Sequence, residues 1–166
     1  MNTKTDLILG CTGQDGSFLC KSLLKKGHKI IGLSRKVNNE ILNHTKLGIA
    51  KEFEIEHGDV TNFQIIEKLI SKHQPGRIFN LAAQSSVGRS INEPIDTIKG
   101  IVMGTLNLLE VSKELHYPGK IFFAGSSEMF GDTKNPANIS HQQHPISPYG
   151  IGKPVSYTHL TLPTKA

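Results

Sequence analysis

A glycine-rich turn near the start of the chain constrains the fold more than any other feature. Gly10, Gly13 and Gly16 lie between a buried strand predicted over 5–9 and an amphipathic helix predicted over 17–26. Glycines let a backbone approach a diphosphate closely, and the N-terminus of the next helix supplies unpaired N–H groups and a positive dipole end. This order indicates the first unit of a Rossmann-type dinucleotide-binding fold, with an ordinary strand–helix turn as the alternative.

Strand-like and helix-like segments alternate along most of the chain. Hydrophobic patterns predict further strands over 29–33, 52–56, 77–82 and 120–124, and helices over 40–50, 61–72 and 94–115. Thr61 is the predicted N-cap of the helix over 61–72. The alternation predicts an α/β fold, a doubly wound parallel sheet with right-handed crossovers and strand order 3-2-1-4-5.

Composition excludes several classes of function. The 166 residues carry a formal net charge of +5, but lysine and arginine are scattered and tryptophan is absent, so we expect no nucleic-acid partner. No apolar stretch is long enough to predict a membrane span. Cys11 and Cys20 predict a reducing, cytoplasmic location without a disulfide, and Cys11 is a packing residue rather than a nucleophile. The histidines lack metal-ligand spacing, so no metal site is predicted.

The last 13 residues depart from this pattern. The segment 154–166 has no apolar period, contains Pro154 and Pro163, and is similar to the translation of a transposon-type sequencing adaptor. We therefore predict a domain over 1–153 and a non-native tail over 154–166, which breaks the helix expected to start near Ser147. A divergent native tail is the alternative.

The end of the second predicted strand bears on which dinucleotide binds. A site for NAD usually has an acidic residue here for the ribose 2′-hydroxyl, whereas this chain has Arg35 and Lys36. Two cations suit a 2′-phosphate and favour NADP, with a pair of solvated surface charges as the alternative. Asp59, after the third strand, is a candidate acceptor for the adenine amino group or a loop-capping residue.

Small and polar residues follow the fourth and fifth strands. The segment 80–86, Asn-Leu-Ala-Ala-Gln-Ser-Ser, leaves room for a cofactor at the end of a central strand. Ser126 and Glu128 follow the fifth strand, and Tyr149 and Lys153 share one face of a helix at spacing i, i+4. A neighbouring ammonium stabilises a phenolate, so these residues are candidates for proton transfer. A carboxylate that caps a turn is the alternative for Glu128.

These blocks, together with the segments 104–110, 124–131 and 147–149, resemble the extended short-chain dehydrogenases that act on nucleotide sugars, and among them the GDP-mannose 4,6-dehydratase family. The resemblance covers residues 5–153. It implies a redox-neutral lyase with bound NADP, GDP-mannose as substrate and a homo-oligomeric assembly. It also implies that a member of this family continues beyond Lys153 into a substrate domain. On this reading, residues 1–153 form an incomplete NADP-binding domain, and the fragment alone is inactive.

The resemblance also implies roles for individual residues. Tyr149, helped by Lys153, would take the proton of the sugar 4-hydroxyl, and Glu128 would remove the C5 proton and protonate the departing 6-hydroxyl. The implied catalytic set is Ser126, Glu128, Tyr149 and Lys153; the substrate set is Ser85, Ser126, Ser127, Glu128 and Tyr149; the cofactor set is Gly10, Thr12, Gly13, Gln14, Asp15, Gly16, Arg35, Lys36, Asp59, Val60, Leu81, Ala82, Ala83, Ser85, Tyr149 and Lys153. Two other hypotheses stay open: an epimerase or reductase on another nucleotide sugar, and a non-catalytic NADP-binding fragment.

Overall fold

A computed structural model describes residues 5–35 and 42–161. The strands are β1 (Thr5–Leu9), β2 (Lys29–Ser34), β3 (Glu54–His57), β4 (Arg77–Asn80) and β5 (Lys120–Phe123). The helices are α1 (Gln14–Lys25), α2 (Leu42–Leu47), α3 (Phe63–His73), α4 (Val87–Asn92), α5 (Pro94–Ile98), α6 (Gly104–Glu114) and α7 (Pro148–Thr161). A π-helical turn over Lys99–Met103 joins α5 to α6, and a 3-10 turn over Ser127–Met129 follows β5.

The five strands form one parallel sheet in the order β3-β2-β1-β4-β5, which confirms the predicted fold and strand order. Alternate residues of β1 face opposite layers, as strand geometry requires. Leu7 and Leu9 pack with residues of α3 and α6, including Ile66 and Leu108. Ile8 packs on the other face with the α1 side. Both faces of the central strand are therefore covered, and its carboxyl end is left to form a site.

Several helix boundaries differ from the predictions. Helix α1 begins at Gln14, directly after the glycine loop, rather than at Ser17. The N-cap of α3 is Asn62, whose side chain accepts a hydrogen bond from the N–H of Ile65, because Thr61 is engaged in a turn with Asp59. The predicted long helix is divided into α5, the π-helical turn and α6, and α4 was not predicted. None of the described helices is long and apolar enough to cross a bilayer.

The prediction that the helix breaks at Pro154 is wrong. Helix α7 continues from Pro148 to Thr161 with Pro154 inside it. Ser156 is buried, and its hydroxyl donates to the carbonyl of Gly152 in the same helix and lies 3.3 Å from the carbonyl of Ile101 in the π-helical turn. Packing against this turn compensates for the hydrogen bond that proline removes. The origin of the segment 154–166 stays a prediction.

Candidate functional site

A cleft of about 460 Å³ opens at the carboxyl ends of β1, β2 and β4 and beside the segment that follows β3. This is the point where the strand order reverses, and dinucleotides bind there in open α/β sheets. Nine residues of the predicted cofactor set line it: Gly10, Thr12, Gly13, Arg35, Asp59, Val60, Leu81, Ala82 and Ala83. The cleft therefore lies where the sequence placed the dinucleotide.

The glycine loop requires glycine at two of its positions. Gly10 has φ of +84°, and a Cβ there would lie 2.6 Å from the carbonyl oxygen of Leu81. A Cβ on Gly16 would lie 2.3 Å from the carbonyl oxygen of Gly10. The loop is this tight because the start of α1 packs directly against the residues that follow β1. This packing brings the first turn of α1 to the cleft. Such a loop fits the diphosphate of a dinucleotide.

The first turn of α1 carries donors for an anion. Gly13 is the N-cap residue, and its carbonyl accepts from the N–H of Ser17, so the N–H groups of Gln14, Asp15 and Gly16 have no partner within the helix. Gln14 and Asp15 are exposed and Gly16 is buried. These three residues of the predicted cofactor set are not among those that line the cleft.

Arg35 and Asp59 form an ion pair at the mouth of the cleft. An Arg35 Nη1 atom lies 3.6 Å from Asp59 Oδ2, and the Arg35 side chain is 69% exposed. An exposed pair of this kind is weak, so Arg35 is free to turn towards a phosphate. Asp59 also caps its own turn, because its Oδ1 accepts from the N–H and the hydroxyl of Thr61. Lys36 lies outside the described residues.

The segment after β4 is held in an unusual conformation. Ala83 has φ of +108°, which L-residues rarely adopt. The Gln84 side chain donates to the carbonyl of Ser86 and to the hydroxyl of Thr97, and so fixes the loop against α5. Ser85, which the sequence placed in both the cofactor and the substrate sets, is exposed beside this loop and does not line the cleft. A strained alanine at the cleft is typical of a functional position.

Sequence reasoning missed one wall of the cleft. This wall consists of Arg89, Glu93, Asp96, Lys99 and Gly100, from α4, α5 and the π-helical turn. Glu93 lies between α4 and α5. The four charged residues recur at spacings of three and four, which was the signal available in the sequence. The other lining residues outside the predicted cofactor set are Leu33, Ser34, Gly58, Thr61 and Gln84.

A second group of predicted residues follows β5. Ser126 precedes the 3-10 turn, and its hydroxyl accepts a hydrogen bond from the N–H of Glu128 at 3.3 Å. Glu128 is partly buried and Ser127 is exposed. The beginning of α7 packs on this turn so closely that a Cβ on Gly150 would lie 2.7 Å from the carbonyl oxygen of Glu128. Glu128 and Tyr149 are thus brought to the same region by backbone contact.

Lys153 and Tyr149 are buried neighbours on α7. Lys153 Nζ donates to the carbonyl of Ala124 at 2.8 Å and lies 5.4 Å from the centre of the Tyr149 ring and 4.9 Å from that of Phe123. Burial lowers the pKa of Lys153 to about 8. The ammonium therefore lies against the face of the phenol, between α7 and the end of β5.

The cysteines and histidines have other surroundings. Cys11 is fully buried, and burial raises the pKa of its thiol to about 12, which suits a packing residue and not a nucleophile.

At the distant edge of the sheet, Glu54, Glu56 and His73 place ligand atoms within 4.8 Å of one another. Lys72 Nζ lies 3.3 Å from Glu54 and 2.6 Å from Glu56, so the ammonium neutralises these carboxylates.

A Rossmann sheet with a glycine-loop cleft, followed by a buried Tyr-x-x-x-Lys pair beside the end of β5, defines the class of short-chain dehydrogenases. Comparison with known proteins specifies the family. The model of the family described as GDP-mannose 4,6 dehydratase matches residues 7–162, and the chain belongs to this family.

A curated relative agrees with this assignment, and two solved structures match the fold. The chain is 34% identical to GDP-mannose 4,6-dehydratase of Vibrio cholerae serotype O1, over 95% of this chain and 44% of the relative. The structure of UDP-Glc/GlcNAc 4-epimerase from Campylobacter jejuni matches with a TM-score of 0.84 and 25% identity, over 95% of this chain and 48% of that one. UDP-glucose 4-epimerase from Brucella ovis in complex with NAD matches with a TM-score of 0.82 and 23% identity, over 95% and 47%. The chain thus spans less than half the length of each.

Proposed function

We propose that this chain provides the dinucleotide-binding and proton-transferring part of an enzyme that converts GDP-mannose to GDP-4-keto-6-deoxymannose. The observation that carries the proposal is the packing of α7, with Tyr149 and Lys153, on the turn that holds Glu128. Glu128, Tyr149 and Lys153 do not themselves line the cleft. A carboxylate, a phenol and an ammonium are nevertheless the groups that an oxidation followed by an elimination requires. Membership of the dehydratase family supports this substrate.

NADP is the proposed cofactor. The cleft, the tight glycine loop and the free N–H groups of α1 fit a dinucleotide. Arg35 lines the cleft at the end of β2, where it can pair with a 2′-phosphate, and Ser34, Arg35 and Lys36 include no carboxylate to bind a 2′-hydroxyl. When bound, the cofactor would supply the acceptor for a hydride from C4 of the sugar and return that hydride to C6.

The chain's own residues would move the protons. Tyr149 as phenolate takes the proton of the 4-hydroxyl, and the charge of Lys153 against its ring stabilises the phenolate. The resulting 4-keto group acidifies C5, and Glu128 transfers the C5 proton to the 6-hydroxyl, which leaves as water. After the hydride returns to C6, C5 must be protonated again. The proton that Tyr149 took from the 4-hydroxyl balances this last step. Ser126 donates a hydrogen bond to the oxygen at C4.

The test is an assay of GDP-mannose turnover with the gene extended beyond codon 153, alongside titration of the 166-residue chain with NADPH and NADH. We expect 4-keto product, tighter binding of NADPH than NADH, and a loss of elimination of about 10²–10⁴-fold in Glu128→Gln. Glu52→Gln, an exposed control, should retain activity. A folded full-length protein loaded with oxidised NADP that forms no 4-keto product would contradict the proposal. An epimerase would instead be nearly indifferent to Glu128→Gln.

Three expectations from the sequence stay predictions. These are homo-oligomerisation of the whole protein, its cytoplasmic location and the non-native origin of the segment 154–166.

A further inference from the structure

The short helix α2 contacts the glycine loop through two side chains. His44 is completely buried, and its Nε2 lies 2.8 Å from the carbonyl oxygen of Cys11. Because a carbonyl can only accept, the ring carries its proton on Nε2 and donates it. Asn43, which is exposed on the same helix, donates from Nδ2 to the carbonyl of Thr12 at 3.0 Å. Two consecutive residues of α2 thus hold two consecutive carbonyls of the loop.

These two bonds complete the pairing of the loop carbonyls. The carbonyl of Gly10 accepts from the N–H of Gly13 at 3.1 Å, and that of Gly13 accepts from the N–H and the hydroxyl of Ser17. The carbonyl of Cys11 also receives the Ser17 hydroxyl at 3.1 Å. For Thr12, the described bond is the one from Asn43. Every carbonyl from Gly10 to Gly13 is therefore engaged by the protein.

The direction of these carbonyls matters for an anionic ligand. A carbonyl oxygen that faced the cleft would place the negative end of a peptide dipole beside a phosphate. A carbonyl that is held away leaves the N–H groups at the start of α1 to face the ligand. His44 is itself fixed by the core, because its ring lies edge-on to Phe53 with ring centres 5.2 Å apart. It is therefore a rigid donor that requires no ordering when a ligand binds.

We propose that Asn43 and His44 are positioning residues for the dinucleotide diphosphate. They hold the carbonyls of Thr12 and Cys11 away from the cleft, so that the loop is ready to bind an anion before the ligand arrives. The inference rests on the proposed function for the identity of the ligand, but the ordering of the loop is a property of the ligand-free chain.

Two measurements on the 166-residue chain test this inference. The first is amide hydrogen exchange of the segment 10–17 without ligand, and the second is the Kd for NADPH by fluorescence titration. Asn43→Ala and His44→Leu should each speed exchange and weaken NADPH binding by roughly tenfold, the effect of one lost hydrogen bond. His44→Gln retains a terminal N–H donor, so exchange and affinity should stay within about threefold of the wild-type values.

Matched controls separate positioning from general destabilisation. Lys46→Ala changes an exposed residue of the same helix and should leave exchange and affinity unchanged. Val111→Ala lowers stability from the opposite core and should leave exchange of the segment 10–17 slow. Wild-type exchange rates in both Asn43→Ala and His44→Leu would overturn the inference. If the wild-type chain does not bind NADPH, the proposed cofactor is wrong, while the exchange measurement still decides whether α2 orders the loop.

Discussion

Two helical glycines differ sharply in the space around them. Gly16 in α1 and Gly88 in α4 both have ordinary helical backbones, but a Cβ on Gly16 would lie 2.3 Å from a carbonyl oxygen and 3.0 Å from the Cα of Cys11. A Cβ on Gly88 would meet nothing within 4 Å. The contacts of Gly16 are backbone atoms, which cannot rotate away, whereas Gly88 has no such constraint.

This contrast predicts opposite effects of the same substitution. Gly16→Ala should lower the free energy of unfolding by about 3 kcal/mol, because the loop and α1 must separate. Gly88→Ala should raise it by about 0.5–1 kcal/mol, because alanine loses less backbone entropy in a helix. Urea denaturation of the two variants and the wild type measures both changes. Similar stability of the two variants would show that the loop is not packed against α1 as described.

Because Lys153 is buried, the free energy of unfolding should rise with pH in the alkaline range. Burial lowers its pKa in the folded chain to about 8, whereas the ordinary value is 10.5. Below the folded value both states carry the proton, and the cost of burying the charge is constant. Between the two values the unfolded chain binds more protons than the folded one, so stability rises with pH. The gain is complete only above the ordinary pKa of lysine.

Lys153→Met removes this titration and predicts a measurable difference. Between about pH 7.5 and 9.5, the free energy of unfolding of the wild type should rise by about 2 kcal/mol relative to that of Lys153→Met. Lys113→Met, at an exposed lysine of α6, is the matched control and should show no such trend. The measurement is urea denaturation at a series of pH values. Parallel pH curves for the wild type and Lys153→Met would rule out a depressed pKa.

At the scale of elements, the sheet could be predicted because each central strand is a short apolar run between turn residues. The helix boundaries could not, because they depend on competition between neighbouring polar groups. Thr61 and Asn62 are both good N-cap residues, and the structure uses Asn62 because Asp59 takes the N–H and the hydroxyl of Thr61. From the sequence alone, Thr61 and Asn62 are equally plausible as the N-cap of this helix.

The π-helical turn explains a second error. A regular helix over 94–115 predicts a buried stripe of Ile98, Val102, Leu106, Leu109 and Val111. The π-helical turn shifts the face, so that Ile101 and Leu108 are buried, and of the predicted stripe Val111 is buried while the other four are partly buried. The same shift exposes the carbonyl of Ile101 to the hydroxyls of Thr105 and Ser156. Apolar periodicity alone does not reveal such a turn, which contacts α7 in the structure.

The candidate site was predictable where it lies on strand ends and not where it lies on helices. Gly10, Arg35 and Asp59 lie within three residues of the ends of predicted strands, and parallel strands place their carboxyl ends together. Arg89 and Lys99 reach the cleft only because α4 and α5 are oriented by the Gln84 contacts. His44 contacts the loop across 33 residues of sequence, so only the tertiary structure shows its role.

At the scale of the whole molecule, the two ends of the sheet carry different groups. The carboxyl ends hold the cleft, while the amino ends are joined by a partly buried cluster of polar side chains around Asp6. Asp6 of β1 is fully buried and receives two hydrogen bonds from Arg77 of β4, at 2.8 and 2.7 Å. His28, just before β2, lies 2.9 Å from the same carboxylate. Burial and the charge of Asp6 raise the pKa of Tyr117, which precedes β5, to about 12. The carboxylate of Asp6 thus influences a group on β4 and groups near the starts of β2 and β5.

Breaking this cluster should weaken the fold without changing the cleft. Arg77→Met leaves a buried carboxylate with only His28 beside it, and we expect the free energy of unfolding to fall by about 3 kcal/mol. The double variant Asp6→Leu/Arg77→Met removes both charges and should regain at least part of that loss, because an apolar pair needs no compensating charge. Urea denaturation of Asp6→Leu, Arg77→Met and the double variant gives the coupling energy.

NADPH affinity of the folded variants should equal that of the wild type, since the cluster lies at the opposite end of β1. Additive losses in the double variant would contradict the coupling between Asp6 and Arg77, and a weakened cofactor site would mean that the two ends of the sheet are not separate in function.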